Sequence, residues 1–495
     1  KRVYGYNFYY FYFAQYLKAD LFNADEWITL FKKAGSNYIV FTSKHHDGFC
    51  LWNTKTTNKN SMKENPHRDF LKELKTACEK QDMRFGLYYS LTEWHNPYFR
   101  WTIDSVGLDK YVEKHLIPQF KELVDNYRPV LLFSDGDWDF SYKELRSEEL
   151  VQYLYDKVGK EAIVNDRWGR DFAYGFKTPE YSSGIKERNR PWSECRSLAR
   201  SFALNRISSL EDYFSPKDLV HHFVQLVSLG GGLMLNVGPS ADGQIPLLQQ
   251  ERLIQLGSWL KVNGEAIYGS KPYKKEMDYK GKEEKITSKT LDFNWVRNAP
   301  VSNCTEDNFS ICWSNTYTAK QNERYTFSLK ADDSAEIEIL QEGKTKYKGK
   351  ATKEKPLEFD FEFKKNVKYL IKVNYTETDI DASLYFYAQK DKETPFAFVG
   401  DSLWQGKVRW QQPNICYTTN KGNLYCISME ELSKEISIRL EDAPKKNMKI
   451  RLLGNEDKDL TWEYKNGVLR IDLSPLAFEN IRSKYAYVFR LEGYL

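Results

Sequence analysis

The sequence predicts an α/β plus all-β chain: a (β/α)8-like barrel followed by two β-sandwiches. Three observations predict it. Up to about residue 270, short apolar runs alternate with amphipathic stretches, the pattern of parallel βα units. Beyond "GEAIYGSKPY" the helical period is lost, and short alternating runs bounded by turns take over. The apolar runs of the first part also finish in polar or aromatic residues, at the strand end where parallel barrels carry their chemistry.

Taken in order, "DEWITLFKKAG" reads as the first helix and "NYIVFTSKHHDGF" as the first strand. "RDFLKELKTACEKQ" is the next helix, and "RFGLYYSLTEW" the next strand. "DKYVEKHLIPQFKELVDNY" leads as a helix into "PVLLFSDGDW". "AIVNDRW" and "GGLMLNVGPS" are further strands, and "PLLQQERLIQLGSWLKVNG" closes the series as a helix. In the middle segment "RYTFSLKADDSAEIEIL", "LEFDFEF", "KYLIKVNY" and "ASLYFYA" alternate as antiparallel strands do. The last segment carries "GNLYCISM", "KEISIRL", "KIRLLG", "LTWEY", "GVLRIDL" and "YAYVFRLEGYL". The expected domains are residues 1–271, 272–397 and 398–495.

A chain of 495 residues is too long for a single core. Its 73 basic and 69 acidic residues leave a net charge of +4, which argues against a nucleic-acid footprint. Aromatic residues make up 15%, and composition alone favours the filling of β-rich cores over stacking on sugars. The 7 cysteines contain no CxxC pair, so zinc-type spacing is absent. Cys304 with Cys312, or Cys416 with Cys426, are near enough in sequence to pair. No apolar run has the length of a membrane span. The tyrosine-rich start lacks the core of a signal peptide, and the compartment stays open.

The strand ends supply the candidate chemistry. They present His45, His46 and Asp47; Tyr88, Tyr89, Glu93 and Trp94; Asp135; and Asp166, Arg167 and Trp168. Glu180 and Tyr181 follow in "FKTPEYSS". Singly, each reads as a capping carboxylate or a rim aromatic. Neighbouring residues of a strand point to opposite faces, so His45 and His46 are not expected to share a metal site. Together the set makes a pocket of carboxylates, His, Arg and Trp with no phosphate-cradling glycine loop and no nucleophile elbow. Such a pocket suits glycoside hydrolysis, which needs two carboxyls across the scissile bond.

"KHHDGFCLW", "GLYYSLTEWHNPYF", "YVEKHLIPQFKELVDNYRPVLLFSDGDW", "VNDRWG", "FKTPEY" and "GGLMLNVGPSADGQIP" occur in this order. With "WLKVNGEAIYGSKP" they make residues 20–275 resemble glycoside hydrolase family 29, the retaining α-L-fucosidases. The C-terminal segment looks like that family's β-sandwich. The resemblance implies an exo-α-L-fucosidase acting on fucosylated glycans, with Asp135 as nucleophile and Glu180 as acid/base; Glu194 in "PWSEC" is the alternative acid/base. It implies that His45, His46, Tyr88 and Arg167 hold fucose or steady the nucleophile, and that Trp192 walls the pocket. Asp137 and Asp139 are left as rim or capping residues, and His221 and His222 as structural. No cofactor is required for the step, and a secreted, periplasmic or lysosomal-type setting is favoured. A glycan-binding protein with a lost activity is the rival reading.

The sequence departs from the family in two ways. The opening "FGIFIHWG"-like strand and the "EWY"-like stretch are absent, so an open barrel edge is expected; either those residues stand upstream of the sequence, the favoured reading, or the chain is a degraded member with impaired activity. Phe133 also stands where some relatives have Trp. The middle segment resembles a protective-antigen-type β-sandwich, as found in adhesins. In glycan-binding versions an Asp pair holds calcium, which points to Asp332 and Asp333, although "DDSA" is also plain turn chemistry. Sequons stand at Asn303, Asn308 and Asn374.

Overall fold

Local chemistry starts the first two barrel helices. The Asn23 side chain accepts from the Glu26 N–H and opens α1 (Ala24–Lys33), with Asp25 and Glu26 in its first turn and Lys32 and Lys33 in its last, as the helix dipole favours. Asp69 does the same for α2 (Phe70–Lys80) by accepting from Lys72 N–H. The computed structural model describes residues 8–99, 105–182, 185, 188–296, 299–301, 304, 305, 307–378, 381–391 and 393–495. Asn303 lies outside them.

Between the helices run β1 (Tyr38–Lys44), β2 (Arg84–Ser90), β3 (Leu131–Asp135) and β4 (Ile163–Val164), a parallel sheet in chain order. Helix α3 (Ser105–Tyr111) passes through a π turn, Val112–Leu116, into α4 (Ile117–Tyr127). Helix α5 (Ser147–Val158) joins β3 to β4. A parallel pair follows, β5 (Ser193–Ser197) and β6 (Gly232–Asn236), linked by α6 (Pro216–Ser228) and succeeded by α7 (Leu247–Asn263). Residues 176–180 span from β4 to β5 by single bridges, Asn165↔Phe176, Lys177↔Trp192 and Glu180↔Cys195.

The apolar faces of these helices close on the strands. Leu71, Leu74, Phe120, Leu123, Leu132 and Trp168 share one core and are fully buried, each large apolar side chain contributing roughly 1.5–3 kcal/mol on burial. The expected open edge is present. Among the described residues no strand pairs with the outer edge of β1 or of β6. Both edges, Tyr38–Thr42 and Gly232–Val237, instead line one cavity of about 1000 Å³.

The chain divides into two compact units, residues 1–276 with 416–495, and residues 277–415. The C-terminal strands thus belong with the barrel unit. Trp259 of α7 donates its indole N–H to Ala486 O at 2.9 Å, and Glu265 accepts from Tyr425 Oη at 2.6 Å. Tyr487–Glu492 pairs with both Asn423–Ser428 and Lys449–Leu452, and Val468–Asp472 pairs with both Glu435–Arg439 and Trp462–Lys465. In the second unit, Phe309–Thr318, Lys368–Glu377, Ser334–Gln341 and Lys344–Thr352 form one antiparallel sheet. Glu323–Ala331 pairs on its two sides with Leu357–Phe363 and Ala382–Gln389. Burial alternates along these strands, and Trp313, Phe327, Ile337, Ile371, Tyr375 and Phe386 fill the space between. All 7 cysteines are free thiols, so neither local pairing forms.

Candidate active site

Strand β3 delivers Asp135 to the mouth of the barrel, 8% exposed. Gly136 turns the chain away with φ +88°, and a Cβ there would lie 2.7 Å from Thr92 Oγ1, so only glycine fits the turn. Asp135 Oδ2 accepts from Tyr88 Oη at 2.6 Å and lies 3.4 Å from His46 Nε2. Its Oδ1 is 3.2 Å from Arg167 Nη1. Burial would raise the Asp135 carboxyl, but the contacts with His46, Tyr88 and Arg167 outweigh it and hold the group well below the usual carboxylate range. The Tyr88 hydroxyl moves the other way, pushed up by burial and by Asp135.

Arg167 is the hub. Its Nη1 also donates to Glu180 Oε1 at 2.5 Å, while Nε and Nη2 are fixed on Thr178 Oγ1 at 3.0 Å and Thr178 O at 2.6 Å. The Asp135 and Glu180 oxygens are thus 3.2 and 2.5 Å from one nitrogen, which bounds their separation at 5.7 Å. The Glu180 side chain is 39% exposed. Its backbone is held beside β5 by Cys195 N–H to Pro179 O at 2.8 Å.

His45 and His46 both reach this region. The β1 register shifts between Thr42 and Lys44 and the strand ends at Lys44, so the period-two argument stops short of the pair. His45 stacks on Tyr88 at 5.4 Å, and Tyr88 stacks on Phe133 at 5.8 Å, which builds one wall from three rings. His46 reaches Asp135. Asp137 is half-buried, with its carboxyl raised by burial, and Asp139 is exposed.

Two expected site residues are placed elsewhere. Glu194 is fully buried; one oxygen meets His222 Nε2, and the other accepts from Arg196 Nε and Ser182 N, both at 2.8 Å. A carboxylate with both oxygens so engaged is a brace that ties Ser182 to β5, and His222 is its structural partner. Trp192 is buried behind Gly231, where a Cβ would fall 2.3 Å from its ring, and is not among the cavity-lining residues. Sequence reasoning missed Thr178, which holds Arg167, and Asn165, whose Oδ1 accepts from Ser134 N of β3 at 2.9 Å. It also read Glu93 as a pocket carboxylate, and that side chain is buried, facing Lys44 and His115.

Two carboxyls this close at the mouth of a parallel barrel are the arrangement that glycoside hydrolysis uses. The α-L-fucosidase family model matches residues 1–265, more than half the chain, and the α-L-fucosidase C-terminal domain model matches residues 410–492. The chain belongs to the α-L-fucosidase family. The PA14 domain model matches residues 262–396. The tissue α-L-fucosidase of Bos taurus is 39% identical over 267 residues, 52% of this chain and 57% of the relative. The α-L-fucosidase of Dictyostelium discoideum is 36% identical over 284 residues, 55% and 62% respectively. The matches thus span less than two thirds of these relatives. A Thermotoga maritima α-fucosidase solved with a mechanism-based inhibitor is 25% identical, with a TM-score of 0.62 over 99% of this chain and 83% of that one. An α-L-fucosidase from Paenibacillus thiaminolyticus, 19% identical with a TM-score of 0.59 over 96% and 87%, shows the fold alone.

Proposed function

We propose that this chain carries the catalytic site of a retaining exo-α-L-fucosidase that removes terminal α-L-fucose from glycans or glycoconjugates. The observation that carries the reading is the separation of Asp135 and Glu180, at most 5.7 Å between oxygens, against the ~5–5.5 Å between carboxyl groups that a double displacement needs. Asp135, kept ionised by its donors, attacks the anomeric carbon from one face. Glu180 gives its proton to the departing glycosidic oxygen, so the C–O bond breaks as the aspartyl ester forms. Glu180, now a carboxylate, takes a proton from water, which attacks the anomeric carbon and releases fucose with net retention. His45, His46, Tyr88 and Arg167 hold the sugar. Glu180 leaves Arg167 for the leaving oxygen, and its half-open position permits that exchange. No metal enters these steps.

The test is an aryl α-L-fucoside assay of wild type beside Asp135→Ala, with the anomer of the released fucose followed by NMR. Turnover with retention that Asp135→Ala abolishes supports the reading. A folded wild type without turnover refutes it and favours the glycan-binding rival.

In the second unit we propose a calcium site at Asp332 and Asp333, joined by Glu377. One oxygen or more of each carboxylate lies within 4.8 Å of the others. Glu377 is 1% exposed, its Oε1 has no hydrogen-bond partner, and burial pushes its carboxyl up to about 8, with the neighbouring aspartates adding to the rise. An all-oxygen donor set fits calcium, whose binding would supply the missing partner. Calorimetric titration decides it: heat with calcium that Glu377→Gln removes supports the site, and no heat refutes it. No helix among the described residues is long and apolar enough to cross a membrane.

A further inference from the structure

Behind the histidine pair lies a buried set of charged side chains that the proposed chemistry does not use. Lys44, the last residue of β1, is fully buried and donates to Glu93 Oε1 at 2.7 Å, its ammonium 4.2 Å from the centroid of the Tyr89 ring. His115, in the π turn ahead of α4, meets the same oxygen through Nε2 at 2.6 Å. Glu93 Oε2 accepts from Asn96 Nδ2 at 3.0 Å. Burial opposes the charge on Glu93, yet Lys44 and His115 hold its carboxyl down to about 2. Stability alone does not account for such a set, because apolar side chains of equal volume often stabilise a core as well or better.

Its position supplies a use. Lys44 is the residue before His45. Trp94, the residue after Glu93, donates its backbone N–H to His46 O at 2.7 Å and stacks its indole on the His46 ring at 4.9 Å and 24°. The turn that follows is packed onto the same carboxylate: Gly48 has φ +84°, and a Cβ there would lie 3.1 Å from Glu93 Oε2. Glu93 and Trp94 therefore grip the His45–His46 dipeptide from both sides, one through Lys44 before it, the other through the carbonyl behind it. His46, so held, has Nδ1 on Ser90 Oγ at 2.5 Å and Nε2 3.4 Å from Asp135.

We infer that Glu93 is a positioning residue that aims His45 at the sugar and His46 at the nucleophile. The inference rests on the fucosidase reading of the site. Glu93→Gln leaves Lys44 buried opposite a neutral amide, whereas Lys44→Met with Glu93→Gln removes both charges at similar volume. In whichever variant melts cooperatively, KM for an aryl α-L-fucoside rises about tenfold and inhibition by free fucose weakens in parallel, the pattern for a sugar held less well in ground and transition states alike. The chain has only 7 histidines, so the imidazole ¹⁵N spectrum gives a readout without turnover. The His45 and His46 resonances shift in the variants while that of His221 stays. Unmoved His45 and His46 signals with an unchanged KM overturn the inference, as does failure of both variants to fold, which would make the set a stability element. A wild type without turnover sinks the fucosidase reading alone, and the spectrum still decides Glu93.

Discussion

Replacing Arg167 with Met tests the hub of the site. The change removes the guanidinium shared by two carboxylates whose oxygens lie no more than 5.7 Å apart. A guanidinium and a carboxylate with charge centres about 4 Å apart attract by about 4 kcal/mol at an effective dielectric of about 20, and Met removes that attraction. The Glu180 side chain is 39% exposed, so screening trims this to roughly 1.5–3 kcal/mol, which equals about 1–2 pH units. The sign follows from the working protonation state, in which the pair carries one charge and one proton. Without Arg167 the second negative charge is harder to form, and the alkaline limb of the kcat/KM profile moves up by about 1–2 units. Two charge-assisted bonds to the reacting carboxyls are lost as well, so the profile falls about 10²-fold or more at its maximum. The assay is kcat/KM for an aryl α-L-fucoside across pH. An alkaline limb that stays in place while activity falls would refute the idea that Arg167 couples the two carboxyls.

Glu180→Ala abolishes turnover of poor leaving groups, keeps part of it for activated aryl fucosides and is rescued by azide; Glu194→Gln lowers the melting temperature without creating azide dependence. Gly136→Ala puts a Cβ 2.7 Å from Thr92 Oγ1 at φ +88°, destabilises by about 2 kcal/mol or more and shows as an earlier urea midpoint. Glu93, held down to about 2 from 4.5, binds its proton less readily when folded than when unfolded. The stability it supplies is therefore complete above the ordinary carboxylate range and is lost as pH falls from about 5 towards 2, on the order of 3 kcal/mol. Urea unfolding at several pH values shows a shallower acid loss in Glu93→Gln, and equal slopes would count against the assignment.

Much of this was legible from one-dimensional pattern. "LEFDFEF" is the strand Leu357–Phe363, and "RYTFSLKADDSAEIEIL" breaks into two strands at Asp332 and Asp333, because period-two burial is written locally. Asp135 was legible for another local reason: an apolar strand followed by a glycine turn presents its last residue. Strand β5, "SECRS", was not, since it is polar yet buried, and its Glu194 is satisfied by His222, Arg196 and Ser182 from other elements. Trp192 misled as an aromatic beside a carboxylate motif; only the approach of Gly231 shows where its ring goes. Glu93 looked like a pocket acid because Lys44 and His115, its partners, are 49 and 22 residues away.

The two carboxyls ride on unequal supports. Asp135 ends a fully buried strand paired with β2 from Gly86↔Leu131 to Ser90↔Asp135, whereas Glu180 hangs on a segment stitched by single bridges. The proposed nucleophile is thus anchored to the stiff part of the wall and the proposed proton donor to its yielding part. Under the proposed fucosidase reading, the fucose ring meets a fixed partner, and accommodation to the leaving group is left to the acid. Changes that loosen residues 176–180 should alter the range of leaving groups accepted before they alter recognition of the sugar removed.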